Sequence, residues 1–303
     1  MIKTLSHYII ALTVIFTIAL ASAMPRFHHQ TLPSAKPTAW QSNPNALTMG
    51  SYRKKTPTHA SSPTHTITRH EMRDMPASIT SESNSQKKKK QFTDILLPII
   101  LAENEQINND RYRLLTLLEQ PQTRTLSLTD QRWLLQLGNQ YQIQGDLLKD
   151  KKAQEKLKLR IDIIPVDMAL SQAAIESAWG TSRFAQEGRN LFGHWTYDAN
   201  KGLTPKKRDQ GKKHFVRQFD SLRESVHEYM MNLNTHKAYR KVRSLRHKAR
   251  TTQQPITGTL LAQGLEKYSA QGDAYITLVQ SVIRVNKMEQ FNHSRLATDV
   301  AAL

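Results

Sequence analysis

The chain has 303 residues, with 43 lysines and arginines against 25 aspartates and glutamates, so its formal net charge is +18. This length allows one or two domains and is sufficient to bury a core. The sequence contains no cysteine, which excludes a disulfide scaffold, a cysteine-ligated zinc or iron–sulfur site, thiol catalysis and a lipid-modified N-terminal cysteine.

Residues 1–23 have the pattern of a signal peptide for secretion. Lys3 supplies a positive start, Tyr8–Leu20 is an apolar run, and small residues end it at Ala21 and Ala23. The run is short for a membrane span, which needs about 20 apolar residues, and an uncleaved membrane anchor is the alternative. We therefore expect an exported protein that is cleaved after Ala21 or Ala23.

Residues 24–91 differ sharply in composition from the rest of the chain. These 68 residues contain 7 of the 12 prolines, 18 serines and threonines and 11 basic residues, but only 3 acidic ones. Such a segment buries too little apolar surface to offset the entropy lost on ordering, so it is predicted to be disordered. Its positive charge would favour anionic envelope surfaces such as phospholipid headgroups or acidic wall glycan. Nucleic acid is not predicted as a partner, because no nucleic-acid-binding motif accompanies the scattered basic residues.

Residues 92–160 are predicted to form a helical N-terminal extension. Apolar residues at spacings of three and four predict a helix over Ile95–Leu118, which Pro121 ends. Ser127 is expected to cap a second helix, and Lys149–Arg160 predicts a third with a charged face in solvent.

Residues 161–293 are predicted to form a mainly helical α+β domain. Pro165 suits the start of a helix, and Gly180 follows its last residue. Strand-like residues at 195–197 and 214–219, with a turn-rich run between them, predict a small antiparallel hairpin. Further helices are predicted over 181–188, from Ser221 to about Leu233, and near 236–248, 259–266 and 273–289.

Glu176 is the residue best suited to acid catalysis. It falls in the last turn of an otherwise small and apolar helix, three residues before Trp179. The negative end of the helix dipole and burial beside an aromatic ring both disfavour a carboxylate there and raise the carboxyl pKa. A glycosidase needs such a neutral acid to protonate the leaving-group oxygen. Taken alone, a glutamate at this position is more often a local cap or ion-pair partner.

A wider pattern carries a family resemblance. The pattern A-x-x-E-S-x-W-G-x-S over Ala173–Ser182, followed by Asn-Leu-Phe-Gly at 190–193, resembles the bacterial N-acetylglucosaminidases of glycoside hydrolase family 73, the mannosyl-glycoprotein endo-beta-N-acetylglucosaminidase-like domains. The residues at 220–226 and 229–239 look closer still to the Bax proteins of Gram-negative bacteria. The resemblance covers about 164–288.

The resemblance implies a lysozyme-like fold, with a helical lobe, a small β-lobe and a glycan cleft between them. It implies a periplasmic enzyme that cleaves the β-1,4 bond between N-acetylglucosamine and N-acetylmuramic acid in peptidoglycan without a cofactor. Glu176 matches the catalytic acid of the family, and Tyr268 matches a tyrosine near its catalytic centre. Trp179, Asn190 and Phe192 match positions that shape the site.

The residues themselves leave simpler interpretations open. Trp179 suits a sugar-stacking surface and a core anchor equally well, because aromatic side chains serve both purposes. Asn190 and Phe192 belong to a segment that better suits a packed turn than a sugar contact. Tyr275 continues the family pattern as a candidate substrate-binding residue, although a core position with a bonded hydroxyl is the simpler expectation.

The resemblance is weakest for the second catalytic group. Some relatives place a second glutamate in the β-lobe, whereas no glutamate occurs here between Glu187 and Glu224. Asp209 lies in the appropriate region, with a side chain shorter by one methylene. The other acidic residues have local explanations: Asp198 and Asp220 as turn residues or caps, Glu224 as the capping-box partner of Ser221, and Glu187 as a solvated side chain. Inverting, retaining and substrate-assisted routes therefore stay open.

No metal site is predicted, because the histidines lack ligand spacing with a nearby carboxylate. They are His28 and His29 in the segment predicted to be disordered, and His194, His214, His227 and His236 in the domain. Two alternatives to a hydrolase remain. One is a lytic transglycosylase of similar fold, which can work with a single glutamate, and the other is a wall-binding or scaffolding protein with weak or no activity.

Overall fold

The computed structural model describes residues 65–119, 126–205 and 213–298. Over these ranges the protein is mainly helical with two small sheets, which confirms the predicted α+β class. The helices are α1 (Ser78–Ser81), α2 (Ser85–Leu118), α3 (Leu128–Gln140), α4 (Lys151–Arg160), α5 (Val166–Ser177), α6 (Arg183–Gly188), α7 (Leu222–Thr235), α8 (Arg240–Thr251), α9 (Gly258–Ala262) and α10 (Asp273–Val285). None of these helices is long and apolar enough to cross a membrane. The predicted signal peptide, residues 1–23, lies outside the described ranges.

The strands of the described residues form two small sheets. They are β1 (Thr66–Ile67), β2 (Trp195–Thr196), β3 (Gly202–Leu203), β4 (Phe215–Arg217) and β5 (Arg295–Leu296). β4 lies between β2 and β3 in an antiparallel sheet, where Thr196 faces Phe215 and Leu203 faces Val216. The predicted two-stranded hairpin is therefore part of a three-stranded sheet, whose third strand was not predicted. Gly202, interpreted from the sequence as the end of a turn, begins a third strand.

Helix α5 lies at the centre of the core. Ten of its twelve residues are buried, which is typical of a helix surrounded by other elements. It packs against α2, α9, α10 and a 3-10 turn over Met288–His293. Pro165 precedes its first turn, as predicted. The carboxylate of Asp167 in that first turn accepts hydrogen bonds from the Gly258 N–H at 2.9 and 3.0 Å, so α5 is held at both its start and its sides.

The prediction that residues 24–91 are disordered is wrong for residues 65–91, while 24–64 lie outside the described ranges. Met75 and Ile79 are buried in the main core, and the side chain of Asn84 caps α2. The polar composition of the segment concealed these few apolar anchors. The lysine run at 87–90 occupies the first turns of α2, a helix that becomes apolar from Phe92 onward.

The residues before α1 are tied to the domain by backbone and side-chain contacts. The Leu222 N–H donates to the Arg73 carbonyl oxygen, and Arg73 Nε donates to the Asp220 carbonyl oxygen, both at 2.9 Å. Arg189 forms an ion pair with Asp74. β1 pairs in parallel with β5 at the other end of the described chain. The segment is therefore an integral part of the fold, although its sequence resembles a linker.

A buried charge cluster joins α2, α8 and Asp162, which lies shortly after the end of α4. The carboxylate of Asp162, 3% exposed, accepts a hydrogen bond from Arg250 Nε at 2.6 Å and lies 3.7 Å from Arg246 Nε and 3.8 Å from Arg111 Nη1. Arg246 is itself only 1% exposed. Burial alone would raise the pKa of Asp162, but the hydrogen bonds from Arg250 and the charges of Arg246 and Arg111 lower it overall.

Candidate active site

Glu176 occupies the last turn of α5, as predicted, and its side chain is partly exposed. Its Oε1 accepts a hydrogen bond of 2.7 Å from the Tyr275 hydroxyl on α10. Burial raises the pKa of Glu176 from 4.5 to about 7, and the Tyr275 hydrogen bond opposes part of that rise. Its acidity is therefore set by burial and one phenol, and the carboxyl keeps a proton into the neutral range.

The backbone after Glu176 turns sharply. Ala178, Trp179 and Gly180 all have positive φ, at 51°, 59° and 80°. Ser177 holds this turn, because its hydroxyl donates to the Ala173 carbonyl oxygen at 2.6 Å and accepts from the Gly180 N–H at 2.8 Å. Left-handed backbone is unfavourable for alanine and tryptophan, so strain is concentrated directly beside the candidate acid.

Trp179 packs against the start of α2. Its ring meets Phe92 edge to face at 5.6 Å between centroids, and Lys89 Nζ lies 4.9 Å from the ring centroid. Of the two roles that suited its sequence position, these contacts are those of an anchor between α2 and the turn. A sugar-stacking role for Trp179 stays a prediction.

The Asn-Leu-Phe-Gly segment forms a packed turn between α6 and β2. Asn190 is buried, and its Nδ2 donates to the carbonyl oxygens of His194 and Arg217, each at 2.8 Å. Phe192 is also buried and stacks on Tyr229 at 3.9 Å. Both residues therefore support the site from within. A substrate-binding role for either residue stays a prediction.

Gly193 is the exposed residue of this turn, and it lies near the acid. A Cβ added to Gly193 would lie 3.8 Å from Glu176 Oε2, and its φ of +72° favours glycine. The Oε2 atom thus lies beneath exposed backbone, whereas Oε1 is bonded to a phenol in the interior. Glycine at this position keeps the outer side of the carboxyl uncovered.

The two candidate tyrosines have different positions relative to the acid. Tyr275 touches Glu176, as described above. Tyr268, predicted as the catalytic one, is 8% exposed and donates instead to the Phe192 carbonyl oxygen at 3.3 Å. The ring of Tyr268 stacks on that of Tyr275 with centroids 5.3 Å apart. Tyr275 therefore contacts the acid directly, whereas Tyr268 packs against the ring of Tyr275.

A second carboxylate is not found beside Glu176 among the described residues. Asp209 lies outside the described ranges, so its catalytic role stays a prediction. The alternatives in the described region are engaged elsewhere: Glu187 with Arg183, Asp198 as the cap of a 3-10 turn, Asp220 on exposed backbone that accepts from Arg73, and Glu224 with Arg217 and the Asp220 N–H. The predicted capping box is confirmed on the serine side, where Ser221 Oγ accepts from the Glu224 N–H.

Two polar residues of the site were missed in the sequence. Gln172 and Tyr229 are fully buried. Gln172 Nε2 donates to the Tyr275 hydroxyl oxygen at 3.0 Å, and the Tyr229 hydroxyl donates to Gln172 Oε1 at 2.7 Å. Gln172 had a usable signal, since a polar residue four positions before Glu176 lies on the same face of an apolar helix.

No group of three or more histidine, aspartate or glutamate side chains suited to a metal ion occurs in the ranges that the structure describes. His214 is stacked on Trp195 with ring centroids 3.9 Å apart, and His227 Nδ1 lies 2.9 Å from Glu103 Oε2. These histidines are thus engaged in packing and in ion pairing within the protein.

The raised pKa of Glu176 predicts a pH-dependent stability. Because the folded-state pKa of about 7 exceeds the ordinary 4.5, the stability that Glu176 contributes is complete below pH 4.5 and is lost as the pH rises through 7. Relative to Glu176→Gln, the free energy of unfolding of the wild type should fall by about 2–3 kcal/mol between about pH 5 and pH 8. Urea unfolding of both proteins across this range measures the difference. Parallel curves would show an ordinary pKa.

A partly exposed carboxylic acid that stays protonated near neutral pH, at a helix end beside a small antiparallel sheet, is the arrangement that acid-catalysed glycoside hydrolysis requires. Residues 151–288 match the family model of the glucosaminidases, described as mannosyl-glycoprotein endo-beta-N-acetylglucosaminidase. The matched region covers slightly less than half of the chain, and it is this region that is similar to the glucosaminidases. The match includes α4, which the sequence placed in the preceding extension.

Two known proteins are similar to the chain. It is 34% identical over 188 residues to Protein bax of Escherichia coli strain K12, a match that covers 62% of this chain and 66% of that protein. The match thus spans slightly less than two thirds of the relative's length. The catalytic domain of the autolysin Auto from Listeria monocytogenes is 17% identical with a TM-score of 0.33, covering 62% of this chain and 96% of that domain.

Proposed function

We propose that this protein is an exported hydrolase of peptidoglycan, which cleaves the β-1,4 bond between N-acetylglucosamine and N-acetylmuramic acid with Glu176 as the general acid. The observation that carries the proposal is the raised pKa of Glu176 together with its partly exposed position beneath Gly193. The match of residues 151–288 to the glucosaminidase family model supports the glycan substrate, and the pattern of residues 1–23 supports export to the periplasm.

The first chemical step is proton transfer from Glu176 to the glycosidic oxygen. Cleavage of an unactivated sugar linkage needs this proton because an alkoxide is a poor leaving group. An acid with a pKa of about 7 is about half protonated at neutral pH, is largely protonated below it, and is still acidic enough to transfer the proton. As the bond breaks, Glu176 becomes a carboxylate, and the Tyr275 hydroxyl donates to that charge through Oε1.

In a retaining or substrate-assisted route, the Glu176 carboxylate then acts as a base toward water, whereas in an inverting route water attacks from the opposite face in the same step as the proton transfer. The group on the other face of the sugar can come from the segment of Asp209, from a water held by polar residues or from the acetamido group of the substrate. Each would stabilise the positive charge that develops on the sugar. The absence of a second carboxylate among the described contacts of Glu176 favours one rival, a lytic transglycosylase. Such an enzyme cleaves the other glycosidic bond of the strand, at the anomeric carbon of N-acetylmuramic acid, where a hydroxyl of that same sugar attacks in place of water and N-acetylglucosamine leaves with the proton from the acid.

Product analysis in labelled water distinguishes the two reactions. Protein purified from the periplasm of an expressing Gram-negative cell is incubated with purified peptidoglycan in H₂¹⁸O, and the fragments are analysed by mass spectrometry. We expect a reducing N-acetylglucosamine end that carries one ¹⁸O, because water attacks the anomeric carbon. Anhydromuramic ends without label would identify a transglycosylase. The intact mass of the same sample should show cleavage after Ala21 or Ala23, and an uncleaved chain would contradict export by a signal peptide.

A further inference from the structure

Three hydrogen bonds connect Glu176 to the interior in a single line. The Tyr229 hydroxyl donates to Gln172 Oε1 at 2.7 Å, Gln172 Nε2 donates to the Tyr275 oxygen at 3.0 Å, and the Tyr275 hydroxyl donates to Glu176 Oε1 at 2.7 Å. The four side chains come from α5, α7 and α10. Gln172 and Tyr229 are fully buried and Tyr275 is 3% exposed, so water does not compete for these bonds.

We infer that Gln172 and Tyr229 are positioning residues, which turn the Tyr275 hydroxyl toward Glu176 Oε1 and thereby keep the transferable proton on Oε2. The inference rests on the proposed role of Glu176 as general acid. Neither residue touches substrate in this scheme. Each acts through Tyr275, and the effect reaches the acid as a fixed direction of hydrogen bonding.

In the observed orientation of the Gln172 amide, the direction of the hydrogen bonds follows from the chemistry of the groups. An amide N–H can only donate, so the Tyr275 oxygen accepts from Gln172 and its single hydrogen is left for Glu176. A proton on Oε1 that pointed toward Tyr275 would clash with that hydrogen, because both groups would then be donors. The proton therefore resides on Oε2, the oxygen that lies beneath exposed Gly193. The acid is thus protonated on the side open to solvent.

The hydrogen bonds can also run in the opposite direction with every donor and acceptor satisfied. This second arrangement gives the line of hydrogen bonds a function during turnover. If Gln172 were rotated by half a turn, Tyr275 would donate to it, and Glu176 would have to donate to Tyr275 from Oε1. A carboxylate can only accept, so proton loss from Glu176 selects the observed direction. Gln172 and Tyr229 then stabilise the carboxylate that forms after proton transfer, and they lower the pKa of Glu176 below the value that burial alone would impose.

The packing around the line holds the phenols in place and keeps them neutral. Tyr229 is stacked on Phe192, and Tyr275 is stacked on Tyr268. The titratable groups that face Glu176 are phenols whose pKa is raised by burial: Tyr229, Tyr239, Tyr268 and Tyr275. Two charged groups of the other elements packed on α5 act elsewhere: Lys89 of α2 on Trp179, and Glu289 of the 3-10 turn on Asp167 at the start of α5.

A purely structural role for Gln172 and Tyr229 would affect stability alone, so the test follows the ionisation of Glu176. The variants are Tyr275→Phe, Gln172→Leu and Tyr229→Phe, with Tyr239→Phe as the matched control. Tyr239 is another buried phenol of the same cluster, but its hydroxyl is bonded to Asn232 and not to the line. Two readouts are used. They are the alkaline limb of kcat on soluble glycan fragments and a ¹³C-carboxyl NMR titration, in which the Glu176 signal is assigned by its loss in Glu176→Gln.

We expect the alkaline limb and the NMR pKa to move upward together, by about one pH unit in Tyr275→Phe, less in Gln172→Leu and least in Tyr229→Phe. The value of kcat should fall in the same order with KM unchanged, and Tyr239→Phe should titrate like the wild type. Titrations of Gln172→Leu and Tyr229→Phe that match the control would overturn the inference.

The design separates this inference from the proposed function. Cleavage that persists in Glu176→Gln would remove Glu176 as the acid, whereas inactivity of that variant with unshifted Gln172 and Tyr229 variants would remove only their positioning role. The NMR titration does not require activity. It therefore tests the effect of the hydrogen bonds on Glu176 whether or not Glu176 is the catalytic acid. If Gln172→Leu does not fold, the two tyrosine variants, which keep their rings, decide the matter.

Discussion

Glu176→Gln is expected to lower the rate of glycan cleavage by about 100- to 10,000-fold, the usual contribution of a general acid. Glutamine has nearly the same shape, and its amide oxygen can still accept the hydrogen bond that Oε1 receives from Tyr275. Its amide group cannot release a proton at neutral pH. The loss should therefore appear in kcat, while binding of the glycan and the folded structure are preserved.

Glu187→Gln provides the matched control for this variant. Glu187 is a glutamate of the neighbouring helix α6, with a side chain that is 52% exposed and paired with Arg183 on the surface. Its replacement should leave cleavage close to the wild-type rate. Release of soluble fragments from purified peptidoglycan, measured for both variants at equal folded concentration, gives the comparison. Equal activity of Glu176→Gln and Glu187→Gln would refute the assignment of Glu176.

Asp162→Ala is expected to cost about 3–5 kcal/mol of the free energy of unfolding, since it removes one member of a buried ionic cluster and leaves its partners uncompensated. Arg246 is nearly inaccessible to water, so its charge cannot be solvated when the carboxylate is gone. The lowered pKa of Asp162 means that its contribution is present at neutral pH and is lost only as the pH falls through that lowered value.

Asp94→Ala is the control for this prediction. Asp94 pairs with Lys90 on the surface of α2, where the two side chains are 58% and 78% exposed, and such pairs contribute about 0–1 kcal/mol. Urea unfolding of both variants should show a large fall in the midpoint for Asp162→Ala and a small one for Asp94→Ala. A loss below about 1 kcal/mol in Asp162→Ala would show that the arginines find other partners.

The sequence was sufficient to predict the helix that carries Glu176. Its start follows from a local rule, because Pro165 suits the first turn. The predicted end directly before Gly180 is wrong, since the helix ends at Ser177 and the left-handed backbone begins at Ala178. The caps at Ser127 and Ser221 are equally local and were also predicted correctly. Features that depend on a few neighbouring residues can be predicted without knowledge of the tertiary structure.

The partners of Glu176 depend on packing between distant elements, and the sequence does not determine them. Tyr268 and Tyr275 are seven residues apart, and only the docking of α10 on α5 decides which phenol meets the acid. Tyr229 reaches Gln172 from α7 across 57 positions of sequence. The ordered structure of residues 65–91 was missed for the same reason, since Met75 and Ile79 gain their stabilisation from a core assembled elsewhere in the chain.

The parallel pairing of β1 with β5 has a mechanical consequence. It brings the first and last described strands side by side, through hydrogen bonds from Arg295 N–H to the His65 oxygen and from Ala297 N–H to the Ile67 oxygen. A pull on the two ends in opposite directions would load these bonds in shear. The β1–β5 pair would then resist the applied force. Helix α5, which carries Glu176, would not be loaded until these hydrogen bonds break.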